Sequence, residues 1–296
     1  MKSDPGFVPF LAAEAEEKYA DAVILGCPYE DPGAFRRGAK DAPQAMRDFS
    51  RHISAYHPDS GMDLRRWAVA DKNCIAQNEK NEIDDKNEEA VFSCLEEAAF
   101  SVLRDKRFLL TLGGTRAIAY PLIKAAKRMY PRLKVISLDA HTGKEKRGTY
   151  VSHDNVFTAL TEDFFPKSDL YQWGSRVGSE YAVKDCKVRQ FYTPPHVKKG
   201  VLEQMHKLYK YPVYLTIDID IMDPPFAPGS GHPVYGGIGT AELFETVALL
   251  QSLNVVGMDL TEIVPAYDKS GITTVLGATL VKEALIHFLP KFKKRP

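Results

Sequence analysis

Short apolar runs alternate with longer amphipathic segments along almost the whole chain. The short runs are DAVILGC (21–27), RWAVAD (66–71), RFLLTLG (107–113), KVISLDA (134–140), DLYQWGS (169–175), KVRQF (187–191), PVYLTIDID (212–220) and NVVGMDL (254–260). Several are nearly continuous in Val, Ile, Leu and aromatics, as strands covered on both faces are. Helical patterns lie between them, among them 88–105, 119–130, 240–253 and 274–289. Strand–helix alternation predicts a mainly parallel sheet with helices on both sides. About eight strands are compatible with an open sheet or a closed barrel. No repeat and no Pro/Ser linker divides the chain, so residues 1–296 are read as one domain. The charge-rich stretch 71–89 is read as a solvated connection.

Composition narrows the function classes. Lys+Arg and Asp+Glu both number 39, giving a formal net charge of zero. A neutral chain has no general pull toward nucleic acid or an anionic membrane, and a small molecule or another protein fits better. No apolar run approaches the roughly 20 residues that span a bilayer. The start, MKSDPGFVPF, lacks the cationic and apolar segments of a secretion signal. Cys27, Cys74, Cys94 and Cys186 form no CxxC pair, which argues against a disulfide scaffold or zinc–thiolate site. These features predict a reduced, cytoplasmic protein.

In a parallel α/β protein, functional groups gather where strands end. Four strand ends carry unexpected residues: Asp139 and His141; Asp218, Asp220 and Asp223; LGGTRA (112–117); and MDLTEIVP (258–265), with Asp259 and Glu262. Side chains two apart on a strand share a face. Asp139 with His141, and Asp218 with Asp220, would face one spot if their strands are neighbours. Three carboxylates and an imidazole suit Mn²⁺, Zn²⁺, Fe²⁺ or Ni²⁺. Without a cation, burying those carboxylates together is costly or forces protonation. Either pair alone also reads as a helix cap or a loop-ordering aspartate. The Pro/Gly-dense DPPFAPGSG tail adds specificity, because it fixes an irregular loop right after the acidic strand.

Taken together, GGTRA (113–117), DAHTG (139–143), TIDIDIMDPPFAPGSG (216–231) and EIVP (262–265) resemble the ureohydrolase family of arginases and agmatinases. The family's motifs are GGDHS, DAHxD, SxDxDxxDPxxxPGTG and E-x-x-P, in this order and spacing. Residues 21–50 also resemble an agmatinase start, and the likeness spans roughly 20–290. It implies a three-layer α/β/α, arginase-like fold with an eight-stranded parallel sheet, which displaces the barrel. It also implies two Mn²⁺ ions that activate a hydroxide to attack a guanidinium carbon, releasing urea and an amine. The ligand would be a small guanidino or amine compound, and the assembly a trimer or hexamer.

The resemblance assigns Asp139, His141, Asp218 and Asp220 as the protein ligands of one ion, manganese first, with zinc or iron as alternatives. The other ion loses its histidine and one aspartate, because Arg116 and Gly143 stand there. Thr115 and Ala117 replace neighbouring motif residues. Arg does not ligate at neutral pH. Beside Asp139 and Asp218 its charge would substitute for the missing cation; otherwise it faces solvent near a helix start. His153 matches the family's proton-transfer histidine, and Glu262 the carboxylate that grips the guanidinium. Otherwise His153 is a core or surface histidine and Glu262 a loop or capping residue. KEKR (144–147) reads as a solvated loop near the pocket mouth, or as a feature favouring an anionic ligand. His232 either lines the pocket or faces solvent.

Three functions follow: a single-metal amidine or amide hydrolase, a non-catalytic member that binds a ligand or partner subunit, and an agmatinase-like ureohydrolase that tolerates the substitutions. The first is preferred.

Overall fold

The computed structural model describes residues 7–73, 88–180, 182, 189–191 and 196–292. The strands are β1 Ala22–Cys27, β2 Tyr56–His57, β3 Met62–Asp63, β4 Val69–Asn73, β5 Phe108–Gly113, β6 Lys134–Leu138, β7 Leu170–Trp173, β8 Arg189–Phe191, β9 Pro212–Asp218 and β10 Asn254–Thr261. The α-helices are α1 Ala42–Ser50, α2 Glu88–Arg104, α3 Ala119–Met129, α4 Val156–Asp163, α5 His196–Leu208, α6 Thr240–Leu250 and α7 Ile272–Phe288. Eight strands form one sheet in the order β4-β1-β5-β10-β9-β6-β7-β8. Every pairing in it is parallel. Among the described residues β4 and β8 each pair on one side only, so the sheet is open and not a barrel.

Alternation along the strands builds two cores. Ala22, Ile24, Leu110, Leu112, Ile136, Leu215, Ile217 and Leu260 face α1, α6 and α7. Val23, Leu25, Leu109, Val135, Tyr214 and Val256 face α2, α3 and α4. Helices therefore cover both faces, as strands with almost no polar positions require. Full burial of each Leu, Ile or Val contributes about 1.5–3 kcal/mol.

The structure departs from the sequence reading in three places. The second strand begins at Val69, not Arg66, because Leu64–Arg66 wind into a 3-10 turn. The Asp63 side chain caps that turn, accepting from the Arg65 N–H at 2.9 Å. Residues 71–73 belong to β4 and not to a solvated connection; 74–87, with Cys74, lie outside the described residues. The Asp71 side chain is buried and takes a forked ion pair from Arg47 of α1, Nε–Oδ2 2.9 Å and Nη2–Oδ1 2.7 Å. Finally, Ile272–Lys291 is apolar and long enough, by length and composition, to cross a membrane. That corrects the expectation of no such run, although 72% of its apolar window is buried inside the protein. Cys27 is a buried free thiol, and Cys186 lies outside the described residues.

Candidate metal centre

The four central strands β5, β10, β9 and β6 end at one edge of the sheet. Their register aligns Leu112 with Leu260, Thr261 with Asp218, and Leu138 with Ile217. The next residues along each chain therefore emerge side by side: Arg116 after β5, Glu262 after β10, Asp218 and Asp220 at β9, Asp139 and His141 after β6.

Convergence is not achieved by strand alternation. Asp139 turns back, and its Oδ1 accepts from the His141 N–H at 2.6 Å. Asp218 does the same for the Asp220 N–H at 2.9 Å. Ile219–Ile221 then wind into a 3-10 turn, which swings Asp220 across to β6. Asp220 Oδ1 accepts from the Ala140 N–H at 2.9 Å, and Oδ2 lies 2.5 Å from His141 Nδ1. One donor atom from each of Asp139, His141 and Asp220 lies within 4.8 Å of the others. Asp218, the fourth expected ligand, is not in that group but is buried beside it, close enough for Asp220 and Asp139 to act on its charge.

Arg116 is 1% exposed and points into the cluster. Its Nη2 lies 2.6 Å from Asp139 Oδ2, off the direction of a good hydrogen bond. Nη2 also donates to the His141 carbonyl at 3.4 Å, and the guanidinium sits 4.7 Å from the Phe157 ring centre. A Cβ on Gly143 would lie 2.8 Å from Nη2, 2.9 Å from Cζ and 3.0 Å from Nη1. Gly143 has φ +58°, where a side chain is strained in any case. The guanidinium thus fills the room that a ligand side chain at 143 would need.

Glu262 adopts φ +65°, a strained conformation for a residue with a side chain. Its Oε1 accepts from the Arg116 N–H at 2.8 Å. Its Oε2 lies 2.3 Å from where a Cβ on Gly231 would stand, so that glycine makes room for the carboxylate.

His153 is fixed by Asp31, whose Oδ2 lies 2.9 Å from Nδ1 and also accepts the His153 N–H at 2.9 Å. His232 lines the site: its ring centre is 4.4 Å from that of His141 and 6.2 Å from that of His153. Its Nδ1 and His141 Nε2 are buried without hydrogen-bond partners among the described residues. Of KEKR, Lys144 is buried and Arg147 pairs with Asp163 at 2.5 Å, so the run is not simply a solvated loop.

Sequence reasoning missed Asp31 and Arg176. Arg176 donates to the carbonyls of Asp220 at 2.7 Å and Val234 at 2.8 Å, tying the acidic turn to the following loop. Arg176 lies in no motif the resemblance used, and Asp31 lies in the 21–50 start without having been singled out. The DPG turn at 31–33, where Asp31 Oδ1 accepts from the Gly33 N–H at 2.8 Å, is the local signal for Asp31.

The electrostatics reflect crowded acids. Burial pushes Asp139 up to about 8; Arg116 pulls it down and Asp220 adds to the rise. Burial, then Asp220 and Asp139, raise Asp218 well above the carboxylate range. Burial lifts Glu262 to about 7 against the pull of His153. Burial opposes charge on both Asp220 and His141, yet their mutual attraction wins, lowering the acid and raising the imidazole. For His153, burial is outweighed by the Asp31 hydrogen bond and the nearby acids, giving about 9. Excess buried negative charge is what a cation would relieve.

The donor set fits one divalent ion held by Asp139, His141 and Asp220. Arg116 and Gly143 offer no side-chain ligand atom beside it.

The comparisons with known proteins agree with this fold. The Arginase family pattern matches residues 20–287. An agmatinase of Bacillus subtilis (strain 168) is 31% identical over 288 residues, covering 95% of this chain and 96% of its own. The crystal structure of agmatine ureohydrolase of Thermoplasma volcanium superposes with TM-score 0.86 at 23% identity, over 100% of this chain and 99% of that one. Trypanosoma cruzi formiminoglutamase, solved with Mn²⁺, gives TM-score 0.82 at 22% identity, over 97% and 98%. A sheet of this order, acidic turns at its central strand ends and a sequence match along most of its length have one reading: the chain belongs to the arginase family.

Proposed function

We propose that the protein is an arginase-family hydrolase of C–N bonds, of the amidine or amide type, working with one divalent ion, and that ordinary guanidino hydrolysis to urea is weak or lost. The observation that carries this reading is the Arg116 guanidinium, paired to Asp139 and filling the space over Gly143. Asp139, His141 and Asp220 would hold the ion, manganese first. When bound, such an ion would supply Lewis-acid polarisation of the scissile bond and would acidify a water. His153, charged near neutral pH and oriented by Asp31, donates a proton to the leaving amine. Glu262, anchored by the Arg116 N–H, receives the cationic end of a small guanidino or amine substrate.

Relatives described as agmatinases make agmatine the first substrate to test. Purified protein is assayed for urea release with excess Mn²⁺, while electron paramagnetic resonance looks for a spin-coupled manganese pair. Slow turnover with uncoupled Mn²⁺ supports the proposal. Fast urea release with a coupled pair overturns it in favour of an ordinary agmatinase-like enzyme. A second reading, a non-catalytic protein that binds a ligand or a partner subunit, is favoured by Asp139 already having its cation in Arg116. No Mn²⁺ signal and no turnover would select it. Assembly as a homotrimer or hexamer is part of the proposal, checked by light scattering.

A further inference from the structure

We propose that His57, Glu283 and His287 form a separate binding site for a borderline divalent ion of the Zn²⁺ class. Glu283 and His287 are one turn apart on α7 and share a face. His57 comes from the β2–β3 ribbon. Its Nε2 lies 3.0 Å from Glu283 Oε2, and His287 Nε2 lies 3.8 Å from the same oxygen. One donor atom from each residue falls within 4.8 Å of the others. Ligands about 2.0–2.1 Å from a tetrahedral ion stand roughly 3.3 Å apart, so small shifts of the side chains close the shell.

The surroundings suit an ion. Lys282 Nζ holds Glu283 Oε1 at 2.8 Å, leaving Oε2 turned to the imidazoles. Ser60 Oγ stands 2.9 Å from His57 Nδ1. The Ser60 N–H donates to that nitrogen at 3.2 Å, so in the ion-free molecule His57 carries its proton on Nε2, facing Glu283. A metal ion would replace that proton, and Nδ1–H would turn to Ser60 Oγ, fixing the ring as outer partners of metal-bound histidines do. The three donors border a cleft of about 570 Å³ with Met62, Phe244 and Pro290 on its walls. That leaves a fourth position open to water. Two nitrogens and one oxygen favour Zn²⁺ over Mn²⁺.

This site is remote from the acidic cluster. Helix α7 starts beside the catalytic edge and runs back along the sheet, placing Glu283 about 17 Å along the axis from Ile272. An ion there would clamp the ribbon to α7.

The test uses the full chain, stripped of metal, with Zn²⁺ uptake by calorimetry and Co²⁺ as the optical probe. His57→Gln and His287→Gln are each expected to lose one Zn²⁺ equivalent per chain. The affinity loss should exceed the roughly tenfold that removal of an outer partner produces. They should also lose the intense visible bands of four-coordinate Co²⁺ and the zinc-dependent rise in Tm. Metal-free melts check folding, and His57 on its short ribbon is the less disruptive position. Equal Zn²⁺ uptake by the wild type and a folded His57→Gln variant, or no four-coordinate Co²⁺ spectrum in the wild type, overturns the proposal.

Discussion

Arg116 Nη2 lies 2.6 Å from Asp139 Oδ2, and both side chains are almost completely buried. A fixed cation from the end of β5 thus meets a carboxylate from the end of β6, across the two strands that lie between them. Pairing by Arg is strong when both oxygens are engaged in line. Here one contact is off-axis and Arg116 Nε has no partner among the described residues, so the pair is tolerated more than optimised. Removing either partner would leave a buried charge uncompensated.

Arg116 and Gly143 should behave as one unit. Gly143→Asp alone adds a Cβ within 3.0 Å of the guanidinium at φ +58° and is expected to cost about 1–3 kcal/mol. Combined with Arg116→His, most of the steric cost disappears and a second manganese ligand pair is created. Denaturant melts and Mn²⁺ titration of both singles and the double measure the coupling. Strict additivity of the stability changes would show that the two positions are independent.

Arg116→Met tests whether the guanidinium substitutes for a cation. The neutral side chain leaves Asp139 unpaired beside Asp220. We expect a loss of about 2–4 kcal/mol in chelator, moderated because Asp139 can take up a proton. Added Mn²⁺ should recover a larger share of stability in this variant than in the parent, since the ion replaces the missing charge. Equal metal-induced Tm shifts would count against this role.

The sheet was legible because its buried strands are nearly uninterrupted apolar runs and its helices are amphipathic. The strands of the main sheet match the expected runs within a few residues, the largest shift coming at Val69, where a side-chain-capped turn delays the start; the short ribbon β2–β3 was not expected. The site was legible less fully. Two-residue spacing suggested that Asp139 with His141, and Asp218 with Asp220, project from one strand face. In the structure each pair lies at a strand end, where the first aspartate caps the second residue's N–H. Local side-chain-to-backbone bonds of this kind compete with continued strand. They set Asp220 against the Ala140 N–H and His141 Nδ1. His232 was ambiguous because only the fold of the 224–237 loop determines that its ring stacks on His141.

Gly231 and Glu262 provide a second coupled pair. Gly231→Ala places a methyl 2.3 Å from Glu262 Oε2 and should displace the carboxylate from the Arg116 N–H. A loss of about 1–3 kcal/mol is expected. Glu262→Gly relieves the backbone strain at φ +65° but gives up the hydrogen bond, so its net effect should be smaller. In the Glu262→Gly background the alanine at 231 has nothing to strike. Its cost should fall below about 1 kcal/mol, read from urea denaturation of the four-member cycle.

His153 makes stability depend on pH in a defined direction. Its folded value is raised from 6.5 to about 9, chiefly by the hydrogen bond to Asp31, with the nearby acids adding to it. The folded protein therefore holds a proton that the unfolded chain releases between those values. This contribution is complete below 6.5 and is lost as pH rises through 9, an effect on the order of 3 kcal/mol. Asp31 works at the other end of the scale: its value is lowered, so its share is lost only in acid. His153→Gln retains a donor toward Asp31 but cannot titrate. Denaturant midpoints measured from pH 8 to 9.5, above the folded values of Asp139 and Glu262, should fall with pH in the parent and much less in the variant. Parallel slopes in the two proteins would remove His153 as the source.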